Sequence, residues 1–448
     1  RIVEHLGRIS RTRRCAITIT LLSALVLVPV VVVAQVPSRI QFKVLDTFQS
    51  SNGEMSASGV ILDTAGNVYG ATLFGGDLNC SSADPGTGCG TVFQISTTGE
   101  ERVLHKFTYP QHNDGYAPLF GGSLSRDSQG NLYGTTYVGG DLSCSFYPIG
   151  CGTVFKIDKT GTETVLYAFS GKSAGGYLPN GGVILEEGNL YGTTSSGGLS
   201  GNGTVFKVDE TGKETVLYSF EGVDGGDGSF PFGNLVEDAA GNFYGATVNG
   251  GITGAQPCGK IGCGVVFKLD KTWKETVLYS FTGANGDGAV PYTTLVLDKE
   301  GNLYGTTSFG GDVAGNCLYA SLGCGTVFKL IKTKTGWKET ILYTFTGKDG
   351  DVPYGPVAFD AAGNLYGTTT AGGSLGFGTV FKLTPKGKKW AETVLHNFTG
   401  GKDGNTPYWG VAIDSAGSLY GTTSFGGDLE CTVQGEPAGC GVLFKITQ

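Results

Sequence analysis

Gly301-Asn302-Leu303-Tyr304-Gly305-Thr306-Thr307, then Gly310-Gly311, then Gly325-Thr326-Val327-Phe328-Lys329, then Glu339-Thr340-Ile341-Leu342-Tyr343-Thr344-Phe345: this order of short motifs decides the fold, because the chain repeats it. The tyrosine recurs as Tyr69, Tyr133, Tyr191, Tyr244, Tyr304, Tyr366 and Tyr420. The phenylalanine of the third motif recurs as Phe93, Phe155, Phe206, Phe267, Phe328, Phe381 and Phe444. The last motif starts near residues 101, 163, 214, 275, 339 and 392. Seven copies at a spacing of 53–64 residues are the mark of a repeat architecture, in which no unit buries its apolar face alone.

Each copy reads as four strands. Strand a is an apolar run such as Leu295–Asp298, strand b Leu365–Thr369, strand c Gly378–Leu383 and strand d Glu392–Phe398. Asp360-Ala361-Ala362-Gly363-Asn364 between a and b supplies residues that tolerate φ > 0 in a tight turn. Composition agrees: 78 glycines and 45 Tyr plus Phe in 448 residues, set in short alternating runs without a 3.6-residue apolar period. The expected fold is all-β, a seven-bladed propeller of four-stranded antiparallel blades. The last copy stops after its strand c at Val442–Thr447, while Phe42-Lys43-Val44-Leu45-Asp46-Thr47-Phe48 carries the strand-d pattern ahead of the first copy. The N-terminal strand is therefore expected to complete the seventh blade and close the ring, leaving no open sheet edge.

The first 34 residues read as a leader, 35–41 as a short linker and 42–448 as the propeller. Arg8, Arg11, Arg13 and Arg14 precede an apolar run from Ala16 to Val33, and Val32-Val33-Ala34 places signal-peptidase cleavage after Ala34. An uncleaved membrane anchor is the alternative reading of the same run. Loss of five arginines and Glu4 with the leader takes the formal charge from −8 to −12, which disfavours nucleic acid and anionic membrane surfaces as partners. Of 11 cysteines, one is Cys15 in the leader. The other ten form local pairs: Cys80 with Cys89, Cys144 with Cys151, Cys258 with Cys263, Cys317 with Cys324 and Cys431 with Cys440. That reads as five disulfides of a secreted, periplasmic or cell-surface chain, expected to be monomeric. Their spacings do not match zinc knuckles and no histidine accompanies them.

In a meander of four strands the a–b and c–d turns share one face, and the b–c and d–a loops the other. The second face holds the Gly-Gly pairs, all ten paired cysteines and the Asp-, Pro- and aromatic-rich segments, and is the expected binding face. Two sets of residues stand out there. Asp114, Asp224, Asp227, Asp287, Asp349, Asp351 and Asp403 lie beside glycine. They read as turn residues or, alternatively, as Ca²⁺ ligands, although none shows a complete calcium-loop spacing. Tyr292, Tyr354, Tyr408 and Trp409, with Phe230 and Phe232, enter strand a near the axis; they read as packing between blades or as a stacking surface for a sugar or peptide. Asp287, Tyr292, Asp349, Asp351, Tyr354, Asp403, Tyr408 and Trp409 are the candidate binding set. No catalytic set emerges. His105 and His396 sit in strand d where tyrosine is commoner, His112 lies in a d–a loop beside Asp114, and the acid closing each strand a (Asp63, Asp127, Glu187, Asp238, Asp298, Asp360, Asp414) repeats too regularly for an active site. No resident cofactor is expected.

In its ordered motifs Gly-Asn-Leu-Tyr-Gly-Thr-Thr, Gly-Gly, Gly-Thr-Val-Phe-Lys and Glu-Thr-Val-Leu-Tyr-Ser-Phe, from about residue 42 onward, the chain resembles the Gloeo/Verruco (GloVer) tandem-repeat family of exported bacterial proteins. The resemblance implies export and supplies no catalytic residues; the blade plan is also similar to that of NHL-type propellers. The reading that follows is a non-catalytic binding or scaffold protein that takes a glycan or protein ligand on its loop-rich face. The alternative is a propeller enzyme, such as a metal-dependent lactonase-like hydrolase or a lyase, with His112 and Asp114 as its local hint.

Overall fold

Seven antiparallel blade sheets follow one another along the chain, six of four strands and one, in blade 2, whose strand a is split into Gly115–Pro118 and Ser125–Arg126. The computed structural model describes residues 40–80, 86–109, 114–144, 149–172, 174–254, 258–311, 315–319, 321–433 and 438–448. The leader expected over 1–34 and most of the linker expected over 35–41 lie outside them. The propeller unit runs from Ile40 to Gln448.

Blade 5 shows the plan: strand a Val296–Leu297, b Leu303–Thr307, c Thr326–Thr333 and d Gly336–Thr344. Strand b and the first half of c are buried on both sides, while d, outermost, alternates between exposed and half-buried. The repeated motif has a packing cause. Gly305 lies opposite Phe328 across the b–c ladder, and a Cβ on that glycine would come within 2.8 Å of the Phe328 ring. The same pairing recurs in every blade, from Gly70 opposite Phe93 to Gly421 opposite Phe444, with hypothetical Cβ–ring distances of 2.5–2.8 Å. Each of these phenylalanines then meets the strand-d phenylalanine of the preceding blade at 5.1–5.4 Å between centroids, as in Phe281–Phe328 and Phe398–Phe444. All fourteen rings are at most 1 % exposed. At roughly 2–3 kcal/mol per buried ring, this circle of interlocked pairs is the main adhesive between blades.

The ring closes as expected. Strand Gln41–Thr47 pairs antiparallel with Val442–Thr447, Val44 opposite Phe444 and Phe42 opposite Ile446.

A second device joins neighbours near the axis. Met55, Ala117, Leu178, Phe230, Val290, Val352 and Thr406 occupy one repeat position and all have φ between 52° and 60°. Such left-handed backbone costs of order 1–2 kcal/mol per residue. It is held because each N–H reaches the carbonyl of the residue before the strand-c glycine of the preceding blade, at 2.9–3.1 Å; those acceptors are Cys440, Cys89, Cys151, Asn202, Cys263, Cys324 and Phe377. In five blades the acceptor is thus the second cysteine of a disulfide. The bonds Cys80–Cys89, Cys144–Cys151, Cys258–Cys263, Cys317–Cys324 and Cys431–Cys440 are all formed. They stiffen the loops on which the next blade hangs.

Three details differ from the sequence expectation. Strand a is only two residues long in blades 1, 2, 5, 6 and 7. Its leading residues approach adjacent blades too closely for a full ladder: a Cβ on Gly122 or Gly410 would collide with neighbouring backbone. In blades 5 and 6 the c–d pair extends to Thr333↔Gly336 and Lys386↔Lys389, longer than the short turn expected. And Glu187 does not take the place held by aspartate elsewhere, since in blade 3 Glu186 pairs directly with Asn189.

Candidate functional site

Asp227, Asp287, Asp349 and Asp403 of the d–a segments each accept hydrogen bonds within their own loops, while Oδ1 of Asp114, of Asp287 and of Asp351 is buried without a hydrogen-bond partner among the described residues. Asp287 accepts hydrogen bonds from the Thr282 amide (2.7 Å) and hydroxyl (2.6 Å). Asp349 accepts from the Tyr343 hydroxyl (2.5 Å) and the Thr346 amide (2.9 Å). Asp227 accepts from the Tyr218 hydroxyl and the Gly222 amide, both at 2.6 Å. Asp403 meets His396 Nε2 at 2.9 Å and the Thr399 amide at 3.1 Å. Each carboxylate closes the turn that leaves strand d, on donors the repeat itself supplies. Asp351 is different: it is 1 % exposed and accepts from the Leu318 amide in the preceding blade's disulfide loop, and burial pushes its carboxyl up. His396, stacked on Phe42 at 3.8 Å, is held below its ordinary value by burial. His112 lies outside the described residues. Among the described residues the groupings of three ligand-type side chains are Glu54–Cys431–Cys440 and Cys317–Cys324–Asp351, both built on disulfide sulfurs.

The candidate aromatics are brought together. Tyr292 stacks on Tyr354 at 4.5 Å, Tyr354 meets Tyr408 at 4.4 Å, Tyr408 faces Phe120 at 6.5 Å and Phe120 meets Tyr137 at 5.4 Å. All five rings are half-buried, so the arc presents ring surface from blades 5, 6, 7 and 2 around the axis. Its floor is closed. Phe232 and Trp409 approach to 6.1 Å from blades 4 and 7, and each is 2 % exposed. Trp409 therefore supports the arc from beneath. Below it the Asn234 side chain ties three blades, its Oδ1 accepting from the amides of Ser123 (3.1 Å) and Gly182 (3.0 Å). Burial raises the phenols of Tyr292 and Tyr408, and lifts that of Tyr354 well above its ordinary value, so all three stay neutral.

Sequence reasoning passed over Asn180. It follows Pro179 at the repeat position of Tyr292, Tyr354 and Tyr408, is 1 % exposed, and its amide has no partner among the described residues. The signal was an amide where four blades place an aromatic ring after proline. A second omission lies between the outer strands. Glu101, Glu163, Glu275, Glu339 and Glu392 each bury one carboxylate oxygen without a partner. Burial pushes four of them to about 7, and Glu339, burdened further by Asp287, to about 8.

On the opposite face, six blades share a network in which the acid closing strand a accepts from the blade's tyrosine, as in Tyr304 to Asp298 at 3.0 Å and Tyr366 to Asp360 at 2.9 Å. Burial alone would raise these carboxyls, but hydrogen bonds from Asn302, its amide and Tyr304 outweigh it and hold Asp298 below the usual range.

Architecture and site together define a disulfide-stapled, seven-bladed propeller with a plugged axis and an aromatic, loop-rich face. The Gloeobacter/Verrucomicrobia repeat matches residues 30–256, 81–319 and 253–448, and the chain belongs to that family. No curated protein matches it in sequence. Among solved structures it is similar to a gluconolactonase from Xanthomonas campestris (14 % identity, 74 % of this chain and 84 % of that one, TM-score 0.38). It is also similar to a luciferin-regenerating enzyme (14 % identity, 75 % and 91 %, TM-score 0.40). At such identities the chemistry of those proteins is not carried over.

Proposed function

We propose that the protein is an exported, non-catalytic binding module that holds a glycan on its loop-rich face. The aromatic arc Tyr292–Tyr354–Tyr408–Phe120–Tyr137 carries this reading. Partly exposed ring faces in a row stack on the apolar faces of successive sugar rings, and neutral phenols at their edges donate to hydroxyls. Rings held by packing from below are pre-organised, which limits the ordering cost of binding. The five disulfides suit an oxidising compartment, in keeping with export after Ala34. Asp227, Asp287, Asp349, Asp403 and the His396 ring are engaged by turn contacts of the repeat, which supports binding over catalysis.

The test is a glycan array probed with the full chain, with a peptide array beside it, followed by titration of Tyr354→Ala and Tyr408→Ala. Retention of a glycan class, lost by about tenfold or more in either variant, supports the reading. Retention on peptides alone moves the ligand to protein, and silence on both arrays overturns the assignment of this face.

A further inference from the structure

Blade 3 breaks the pattern of the a–b/c–d face at three points that meet in one place. Its a–b turn is one residue shorter, with Glu187 (φ 48°) and Gly188 (φ 78°) forming a two-residue hairpin of the I′ kind. The aspartate that accepts the tyrosine hydroxyl in the other blades is thereby lost, and Tyr191 makes no such bond. Next, blade 4 places Trp273 (φ 64°) where the corresponding c–d turns of blades 1, 2 and 3 use Gly99, Gly161 and Gly212 at φ 81–93°. The turn is otherwise the same, the Trp273 amide donating to Asp270 at 2.8 Å as Gly161 does to Asp158 at 2.9 Å. A bulky residue in left-handed backbone is an outlier that packing must hold. Finally, five blades cover their tyrosine with a cation of the chain: Arg126 over Tyr69, Lys156 over Tyr133, Lys329 over Tyr304, Lys382 over Tyr366 and Lys445 over Tyr420, at 4.8–5.8 Å. Among the described residues none covers Tyr191 or Trp273.

The outcome is a cleft of about 670 Å³ between blades 3 and 4. Tyr191, Phe243 and Trp273 make its wall, packed ring on ring with centroids at 4.8, 5.4 and 5.8 Å. Glu186, Glu187, Glu237 and Asp238 stand around it; Lys271 is the cation among its lining residues, and Lys207 lies opposite Tyr191 across the b–c ladder. Burial first, then Glu186, Asp238 and Glu187, push the Glu237 carboxyl up.

We propose that this cleft binds an alkylammonium or guanidinium group, seated on the Trp273–Tyr191 rings with its charge among Glu186, Glu187 and Glu237. In five blades the fold sets its own lysine or arginine over the ring, and Lys329 and Lys445 also reach the acid at 3.4 and 3.9 Å. Tyr244 has no such cation among the described residues either, but at Tyr191 a wall of three rings and four acids share one cleft, and the cation is brought by the ligand. That cation is a free amine or a basic side chain on a partner protein.

The full chain is titrated by calorimetry with choline and arginine amide, with their neutral counterparts 3,3-dimethylbutanol and citrulline amide, and with a Gly-Ser peptide carrying one arginine. Cations are expected to bind about tenfold or more tightly than the neutral analogues, and less tightly as salt rises. Trp273→Gly, which installs the residue other turns use, and the pair Glu186→Gln/Glu187→Gln should each weaken binding about tenfold with the melting temperature retained. Tyr354→Ala on the opposite face should leave it unchanged, which separates this site from the glycan-binding arc. Binding of free cations assigns a small amine, and binding of the peptide alone assigns a basic protein segment. Equal binding of neutral and charged probes, wild-type affinity in both variants, or no binding at tens of millimolar overturns the proposal.

Discussion

Replacing Glu339 by glutamine tests how charge is stored between blades. Glu339 Oε2 accepts from Tyr279 at 3.3 Å, while Oε1 is buried without a partner and Asp287 lies close by. Its carboxyl is pushed from 4.5 to about 8. Undiluted, that gap corresponds to about 4.8 kcal/mol; the side chain keeps some water contact, so about half, ~2 kcal/mol, is expected. The native state holds this proton more tightly than the unfolded chain does. Stability is therefore fullest below about pH 4.5 and falls as pH rises through about 8, with Glu101, Glu163, Glu275 and Glu392 adding to the slope up to about 7. His396, held below 6.5 by burial, opposes it weakly at the acid side. Glutamine cannot ionise, so the variant should match the parent at pH 5 and melt about 2 °C higher at pH 8.5, since about 1 kcal/mol moves a domain of this size by only a degree or so. Calorimetric or fluorescence melts from pH 5 to 9 read this directly. A variant that melts lower than the parent at pH 8.5, or keeps the parental slope, refutes the reasoning.

Further outcomes follow from the packing. Phe328→Ala, which empties the space beneath Gly305, should cost about 3–5 kcal/mol in urea unfolding, and Phe381→Ala should cost much the same because the site repeats. Cys317→Ala/Cys324→Ala should cost about 2.5 kcal/mol from the short loop it reopens, measured against the oxidised parent by the same melts. Deleting residues 40–48 should expose the edge of Val442–Thr447 and drive self-association, visible by size-exclusion chromatography; a synthetic peptide of residues 40–49 added in excess should reverse it.

Blade number and ring closure were legible because the glycine and phenylalanine of each blade are complementary shapes, and such a pair leaves a trace wherever it recurs. The length of strand a was not, because what shortens it is the crowding of residues such as Gly122 and Gly410 against other blades' backbone, a relation between copies and not within one. The candidate tyrosines were found, and what the letters do not show is that Trp409 lies under them. The aspartates of the d–a loops read as turn residues or oxygen ligands, and the turn donors of Asp227, Asp287, Asp349 and Asp403 are groups of the same repeat. Glu339 and its equivalents escaped notice because glutamate at the start of a strand ordinarily faces water. Trp273 was visible as a departure from Asp-Lys-Thr-Gly, and reads as meaningful only once Tyr191 is seen beside it.

The N-terminal strand has a consequence for time. Gln41–Thr47 is synthesised before the other strands of the ring, and its partner Val442–Thr447 follows only after all of them. Until Val442–Thr447 has been made, the outer strand of the seventh blade has nothing to pair with, and the ring stands open however well six blades have formed. Final closure thus waits for the seventh blade, with the whole of the ring between the two strands as the loop to be joined. A propeller without Val442–Thr447 forfeits more than one strand: it also releases Gln41–Thr47.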